Sequence, residues 1–237
     1  AMARGGKDAL NEYYLAAASP GEAGAAATAP GQYVEGLFDA YANGFDRHVV
    51  GVLGYRAHEV LAGEIVRLAP GRWFHSVLDL GCGTGLCSER LKTCSDRLIG
   101  VDLSSQMLQM AEATGRYAQL VHQDIEGFLE NTETRHDLVV AADVFIYIGD
   151  LARVFAGVDR VMGPGGLFCF SLEVAQRDKD ADFELQPTLR FAHSERYVRR
   201  LAAEHGFEVA ATRYTPLRQD QRKAIDGLFV SLRKPQA

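Results

Sequence analysis

The sequence predicts an α/β domain built around a mostly parallel sheet, and three observations carry that expectation. Five short apolar runs recur between residues 76 and 172, separated by stretches with helical spacing. The runs are apolar almost without interruption, as expected of strands covered by helices on both faces rather than on one. The first run stops at a cluster of glycines, which is where open α/β sheets place a ligand.

The runs are Ser76–Leu80, Leu98–Val101, Ala118–Val121, Asp137–Ala141 and Leu167–Leu172, and the helical stretches between them lie near 85–94, 104–114 and 150–162. After them come a helix over 194–205, opened by Ser194 as its N-cap, and the runs Phe207–Tyr214 and Gly227–Leu232, close enough to pair as an antiparallel hairpin. Upstream, Val34, Leu37, Phe38, Tyr41 and Phe45 recur every three or four residues and define one apolar helix face. A second helix spans about 49–69 and ends before Pro70-Gly71, residues 8–18 suit a short helix, and 19–31 (SPGEAGAAATAPG) read as a flexible or partly extended linker. The chain thus divides into an N-terminal arm and linker (1–31), a helical cap (32–72) and the α/β domain (73–237).

Composition narrows the function. Lys and Arg number 25 against 31 Asp and Glu, a net charge of −6. That balance argues against general nucleic-acid binding, which needs a basic surface to release phosphate counterions; the cluster Arg196, Arg199 and Arg200 reads as a solvated helix face. The four cysteines, Cys82, Cys87, Cys94 and Cys169, have neither C-x-x-C nor zinc-ligand spacing, so we expect reduced thiols, no metal and a cytoplasmic protein. No apolar run approaches the length that spans a bilayer, so we expect no membrane association. Oligomeric state leaves no mark on the sequence.

The chemistry begins at Asp79-Leu80-Gly81-Cys82-Gly83-Thr84-Gly85. Three alternate glycines let the backbone turn sharply and approach a ligand without side-chain clash. In the dinucleotide fingerprint G-x-G-x-x-G the third glycine comes one residue later, which disfavours a nicotinamide oxidoreductase. Asp79, two residues before the first glycine, suits a ligand with a cationic amino group, such as the ammonium and sulfonium of an activated methionine. Asp102 ends the second run, where a carboxylate accepts hydrogen bonds from both ribose hydroxyls; its alternative is a helix N-cap. After the third run, Asp124 is placed to take an adenine amino group and Ile125 to pack on the ring, with N-capping again the alternative for Asp124.

These stretches, together with Gly100–Met107 (GVDLSSQM), Asp137–Leu151 and Arg160–Leu172 (RVMGPGGLFCFSL), resemble the class I S-adenosylmethionine-dependent methyltransferases in order and spacing over about residues 76–172. The resemblance implies a Rossmann-like sheet of seven strands in the order 3-2-1-4-5-7-6 with the seventh antiparallel, and S-adenosyl-L-methionine as cofactor. It also implies cofactor contacts from Gly81, Cys82, Gly83, Gly85, Leu103, Met107 and Ala142, and from Tyr41 and Tyr55 of the cap. The flanks (Tyr33–Asp46, Leu53–Arg56, Arg190–Ser194 and Gly227-Leu228) are similar to those of bacterial methyltransferases that carry tetratricopeptide repeats before the catalytic domain. Residues 8–18 are then either the last helix of such an array or an N-terminal arm.

Methyl transfer is an in-line displacement at a sulfonium, and holding nucleophile and methyl aligned supplies much of the acceleration. A general base is needed only for an acceptor that enters protonated. Asp143 and Tyr147, after the fourth run, are the first acceptor-side candidates, with core packing the alternative for Tyr147. His193 is a candidate base near the mouth of the site, with a structural role its alternative. Residues 173–192 are expected to form a lid or acceptor wall, and 32–56 to close over the cofactor. The expected activity is methyl transfer to an O or N atom of a small molecule. A protein methyltransferase and a catalytically silent cofactor-binding scaffold are the alternatives.

Overall fold

A computed structural model describes residues 2–18, 26–176, 180–220 and 223–236. Residues 19–25 of the expected linker and 177–179 of the expected lid lie outside the described residues.

The first five strands are β1 (Phe74–Leu80), β2 (Ser95–Asp102), β3 (Gln119–His122), β4 (His136–Ala141) and β5 (Met162–Val174). They form the parallel order β3-β2-β1-β4-β5. Two short strands follow, β6 (Phe183–Leu185) and β7 (Phe191–His193), and then the long hairpin β8 (Glu208–Asp220) and β9 (Lys223–Arg233). β9 runs antiparallel to β5, and β8 pairs outside it. The expected seven-strand order is therefore present, with β8 and β9 as its sixth and seventh strands.

Alternation explains why these runs are apolar throughout. Leu78, Leu80, Val139, Phe168 and Phe170 face one side and pack under α8 (Ala152–Val161) and α9 (Glu195–Glu204). Val77, Leu138, Val140, Leu167 and Cys169 face the other, under α4 (Ala57–Leu68). With both faces covered, most positions of the central strands favour apolar side chains, and the buried polar exceptions such as Asp79 have hydrogen-bond partners. Each large side chain so buried stabilises the fold by roughly 1.5–3 kcal/mol.

The short strands are an addition. β5 pairs with β4 through Leu167–Phe170 and, farther along the same edge, with β7 through Glu173 and Val174. Its other edge is occupied by β9. β7, backed by antiparallel β6, thus sits beyond the C-terminal end of β4. Part of the segment expected to form an acceptor wall is a small β-hairpin over the strand ends.

Three helices differ from expectation. The apolar face of 34–45 is split between α2 (Gly31–Tyr41) and α3 (Phe45–Gly51), because Gly44 turns the chain at φ 93°. The helix expected over 49–69 breaks at 52–56, where Gly54 has φ 61°, and resumes as α4. After the glycine loop only α5 (Ser88–Leu91) and a 3-10 turn form. There the Ser88, Thr93 and Ser95 hydroxyls bond to nearby carbonyls, a local alternative to a longer helix. At the N-terminus α1 (Met2–Ala18) is followed by an extended stretch, in which Ala27 accepts from the backbone of Gly149 and Asp150, and Thr28 bridges Ile148.

Candidate functional site

A cavity of about 1000 Å³ opens at the C-terminal ends of β1, β2 and β4, roofed by α2 and α3. Its floor is the glycine loop. Gly81 and Gly83 have φ 65° and 54°, the left-handed region that side chains disfavour. A Cβ on Gly81 would lie 2.2 Å from Val144 Cγ2, so this glycine lets the segment after β4 lie directly on the loop. A Cβ on Gly83 would meet nothing within 4 Å; its bare face is turned to the space a ligand would fill. Cys82 also lines the floor, and burial pushes its thiol well above its usual pKa.

Asp102 stands where β2 ends. One carboxylate oxygen accepts from the Gly83 amide at 2.8 Å and the other from the Ser104 amide at 2.9 Å. The N-cap of α6 (Ser105–Ala113) is Ser104, which leaves Asp102 to span loop and cavity. Burial pushes its pKa up and the backbone amides hold it down. Asp124 does cap the next helix, α7 (Ile125–Asn131), by accepting from Gly127 at 2.8 Å, and it lines the cavity as well. Leu103, Met107 and Ile125 give this end its apolar walls.

Asp79 is placed differently from expectation. It is 1% exposed and lies beneath the loop, outside the cavity lining, where it accepts a 2.7 Å hydrogen bond from Tyr117. Burial raises its pKa to about 7, against the lowering effect of the Tyr117 bond. A direct contact between Asp79 and a ligand ammonium is therefore not what this arrangement offers; its carboxyl supports the loop from below. Gly85 likewise lies behind the lining, against Tyr117 and Ser88. Tyr117 precedes β3 without belonging to any periodic pattern, and nothing in the sequence marks it.

The cap is fastened to the loop by two aspartates. Asp39 of α2 accepts from the Ser104 hydroxyl at 2.6 Å, and Asp46 of α3 accepts from Thr84 at 2.6 Å. Tyr41 lines the cavity with its hydroxyl hydrogen-bonded to His48. Tyr55 is buried, lines the cavity, and donates to the Ala142 carbonyl at 3.3 Å; Ala142 is also in the lining.

Beyond Ala142 lies the other end of the cavity. Asp143 takes φ 58°, rare for a residue with a side chain. Arg218 of β8 holds it with two hydrogen bonds from one guanidinium nitrogen, 2.8 and 2.7 Å, and bonds Glu173 of β5 through another. Arg218 is 5% exposed, and the two carboxylates keep it firmly charged despite burial. Sequence reasoning missed Arg218, because a single arginine in a late strand reads as exposed. Tyr147 is in the lining, its ring edge-on to Phe38 at 5.5 Å. Burial raises its pKa, and neighbouring Arg190 pulls it back.

His193 is not at the mouth of the site. It is fully buried in β7 and outside the cavity lining, and burial lowers its pKa to about 4. Its Nε2 donates to the carbonyls of Ile148 at 2.9 Å and Gly149 at 3.0 Å, which hold the loop after Tyr147 in place. A neutral imidazole in the core cannot exchange protons with a ligand in the cavity. Ser194 caps α9 as expected, accepting from Tyr197.

Comparison with known proteins finds methyltransferases similar to this chain. A methyltransferase-domain family model matches residues 78–170. The chain is 33% identical over 110 residues to a malonyl-[acyl-carrier protein] O-methyltransferase of Salmonella typhimurium, covering 46% of this chain and 43% of that protein. It is 25% identical over 121 residues to a ubiquinone biosynthesis O-methyltransferase of Serratia proteamaculans, covering 49% and 50%. The chain thus spans about half the length of the curated relatives it matches. Among solved structures, magnesium protoporphyrin IX methyltransferase of Synechocystis PCC 6803 with bound S-adenosylhomocysteine superposes with a TM-score of 0.65 at 16% identity, over 86% of this chain and 99% of that one. A Burkholderia thailandensis 1,6-didemethyltoxoflavin-N1-methyltransferase, with 1,6-didemethyltoxoflavin and S-adenosylhomocysteine bound, also gives 0.65 at 19% identity, over 90% and 93%.

Proposed function

We infer that this chain, built on the class I S-adenosylmethionine-dependent methyltransferase fold with a methyltransferase domain matching residues 78–170, transfers a methyl group from S-adenosylmethionine to an O or N atom of a small molecule. The observation that carries the reading is the pairing of Asp102 with the open face of Gly83. A carboxylate already held by two backbone amides keeps acceptor capacity for a ribose diol, and the bare loop leaves room for the chain that joins the sugar to the sulfonium. When bound, the cofactor supplies an electrophilic methyl group on positively charged sulfur.

The chain's own residues then bind, orient and exclude water. Asp102 would hold the ribose and Asp124 the adenine edge, with Leu103, Met107 and Ile125 as the apolar walls of that end. Ala142, Asp143 and Tyr147, which line the cavity beyond β1, would take the methionine part of the cofactor. Tyr41, Tyr55 and Phe38 wall that end with apolar ring area, and the two aspartate ties hold the cap down over it. With His193 in the core, this scheme relies on positioning and gives His193 no part as a base. We read the flanks as those of the repeat-bearing bacterial methyltransferases, and the location as cytoplasmic on the four free thiols. Among the described residues no helix is long and apolar enough to cross a membrane.

Calorimetry with S-adenosylhomocysteine tests the reading. The Asp102→Ala variant is expected to weaken binding by about 1–3 kcal/mol, the range for losing hydrogen bonds to a charged, partly buried group. Wild-type affinity in a folded Asp102→Ala protein would remove the ribose assignment.

A further inference from the structure

The charged side chains of the cavity are unevenly distributed. Asp102 and Asp124 lie at the end assigned to adenosine, while both lining arginines, Arg190 and Arg218, lie at the other. Arg218 is committed to Asp143 and Glu173. Arg190 sits among phenols. Burial raises the pKa of Tyr33, Tyr41 and Tyr147, and in each case the Arg190 charge acts in the opposite direction. Arg190 also hydrogen-bonds the Tyr147 side chain.

The backbone beneath Arg190 is built with unusual care. The turn between β6 and β7 is closed by the Gln186 amide donating to the Arg190 carbonyl at 2.8 Å and the Leu189 amide donating to Gln186 at 2.9 Å. Leu189 takes φ 63°. Among the described residues, it and Asp143 are the two non-glycine residues with positive φ, and both adjoin this end of the cavity. Such conformations are costly and persist where surrounding structure enforces them. Here the enforcing contact comes from α1: the Tyr13 hydroxyl, 1% exposed at its residue, donates to the Leu189 carbonyl at 2.7 Å. The Tyr13 ring packs on Phe191, the residue after Arg190, at 6.2 Å.

We propose that Arg190 and Tyr147 form a carboxylate-receiving subsite, and that the methyl acceptor is an organic acid with an apolar or aromatic body. A guanidinium and a phenol O–H lining the same space offer donors that match the two oxygens of a carboxylate. Phe38, Phe45, Leu53 and Val144 line the adjoining space and match an apolar body. A phosphate dianion suits the place less well, because Asp143 and Glu173 stand nearby. This inference deepens the methyltransferase reading but does not share its evidence: it rests on Arg190 and its turn, not on the glycine loop.

The test uses the full chain and three probes, benzoate, methyl benzoate and phenyl phosphate, with affinities measured by ligand-observed NMR with and without S-adenosylhomocysteine. Benzoate is expected to bind at least about tenfold more tightly than either other probe. The Arg190→Gln variant should erase that preference while S-adenosylhomocysteine affinity stays within about twofold, and Arg190→Lys should restore part of it. Three results would overturn the proposal: no preference for the acid, a preference for the phosphate, or an Arg190→Gln protein that loses S-adenosylhomocysteine affinity instead. The last would assign Arg190 to the methionine carboxylate of the cofactor. A protein that ignores S-adenosylhomocysteine yet keeps an Arg190-dependent acid preference would sink the methyltransferase reading and leave this subsite standing.

Discussion

The two ends of the cavity are built by different means. The adenosine end comes from short sequence neighbourhoods: Gly81–Thr84, Asp102–Met107 and Gln123–Ile125, each directly following a strand. Its key carboxylate is fixed by backbone amides of the loop and of the turn after its own strand, and the cap adds two side-chain ties from Asp39 and Asp46. The acceptor end is assembled from distant parts of the chain. Arg218 reaches Asp143 across 75 positions, and Tyr13 reaches Leu189 across 176. Strained backbone is tolerated there only because such partners hold it. A local construction can serve one constant ligand, whereas a construction pooled from several elements can change its acceptor when any one of them changes.

The largest expected effect tests whether that pooled end is held by its ion cluster. Replacing Arg218 with Met leaves Asp143 and Glu173 with buried, uncompensated charge, and burial already pushes the Glu173 pKa up. Breaking such a cluster from one side typically costs about 3–5 kcal/mol. Urea denaturation of Arg218→Met should show a loss of that size. A loss below about 1 kcal/mol would mean that packing, not charge, sets the acceptor end.

A second contrast is in pH response, and here the two ends have opposite sign. The folded pKa of Asp79 is raised from 3.8 to about 7, so the folded state holds its proton more tightly than the unfolded state. Its contribution to stability is therefore greatest at low pH and is lost as pH rises from about 4 through 7. The folded pKa of His193 is lowered from 6.5 to about 4, so the unfolded state binds the proton more readily. That contribution is present above about 6.5 and is lost as pH falls toward 4. His136, also lowered to about 4, adds to the second trend. Each effect is of order a few kcal/mol. Stability profiles of Asp79→Asn and His193→Gln, each subtracted from wild type between pH 4 and 7.5, should slope in opposite directions. Parallel slopes would show that one of the two burial assignments is wrong.

The same contrast explains what could be read in the sequence. The sheet was legible because the central strands are buried on both faces and so carry nearly continuous apolar runs. The places of Asp102 and Asp124 in the cavity lining were legible because one ends a strand beside the glycine loop and the other follows the next strand by two residues. Asp79 was legible as a residue of the loop but its burial against Tyr117 was not, since Tyr117 carries no signal that it will turn beneath the loop. β6 and β7, three residues each, are too short to show a period. His193 read as a candidate base because its type suits neutral-pH chemistry, yet burial depends on a pairing with β5 that its own sequence does not announce. Arg218 and the Tyr13–Leu189 bond depend on contacts made only after the whole chain has folded. A site assembled that way leaves no motif.

The smallest expected effect concerns α1, which is easily mistaken for a dispensable arm. Its Tyr13 is almost fully buried among Tyr33 and Phe191, and burial together with neighbouring tyrosines keeps its hydroxyl protonated. That hydroxyl is therefore a donor at all ordinary pH values, aimed at the carbonyl of strained Leu189. Tyr13→Phe keeps the ring and its packing and removes only the hydrogen bond, so stability should fall by about 1 kcal/mol. The informative readout is where the loss appears. With the bond gone, the turn carrying Arg190 should exchange its amides faster, the amides of Gln186 and Leu189 first, because these close the turn. The amides of Gly83 and Ser104 both donate to Asp102 and not to this turn, so their protection and the affinity for S-adenosylhomocysteine should both be unchanged. Faster exchange at Gly83 and Ser104 to the same degree would mean that the two ends open as one cooperative unit, and the division between them would then lie in their construction alone and not in their energetics.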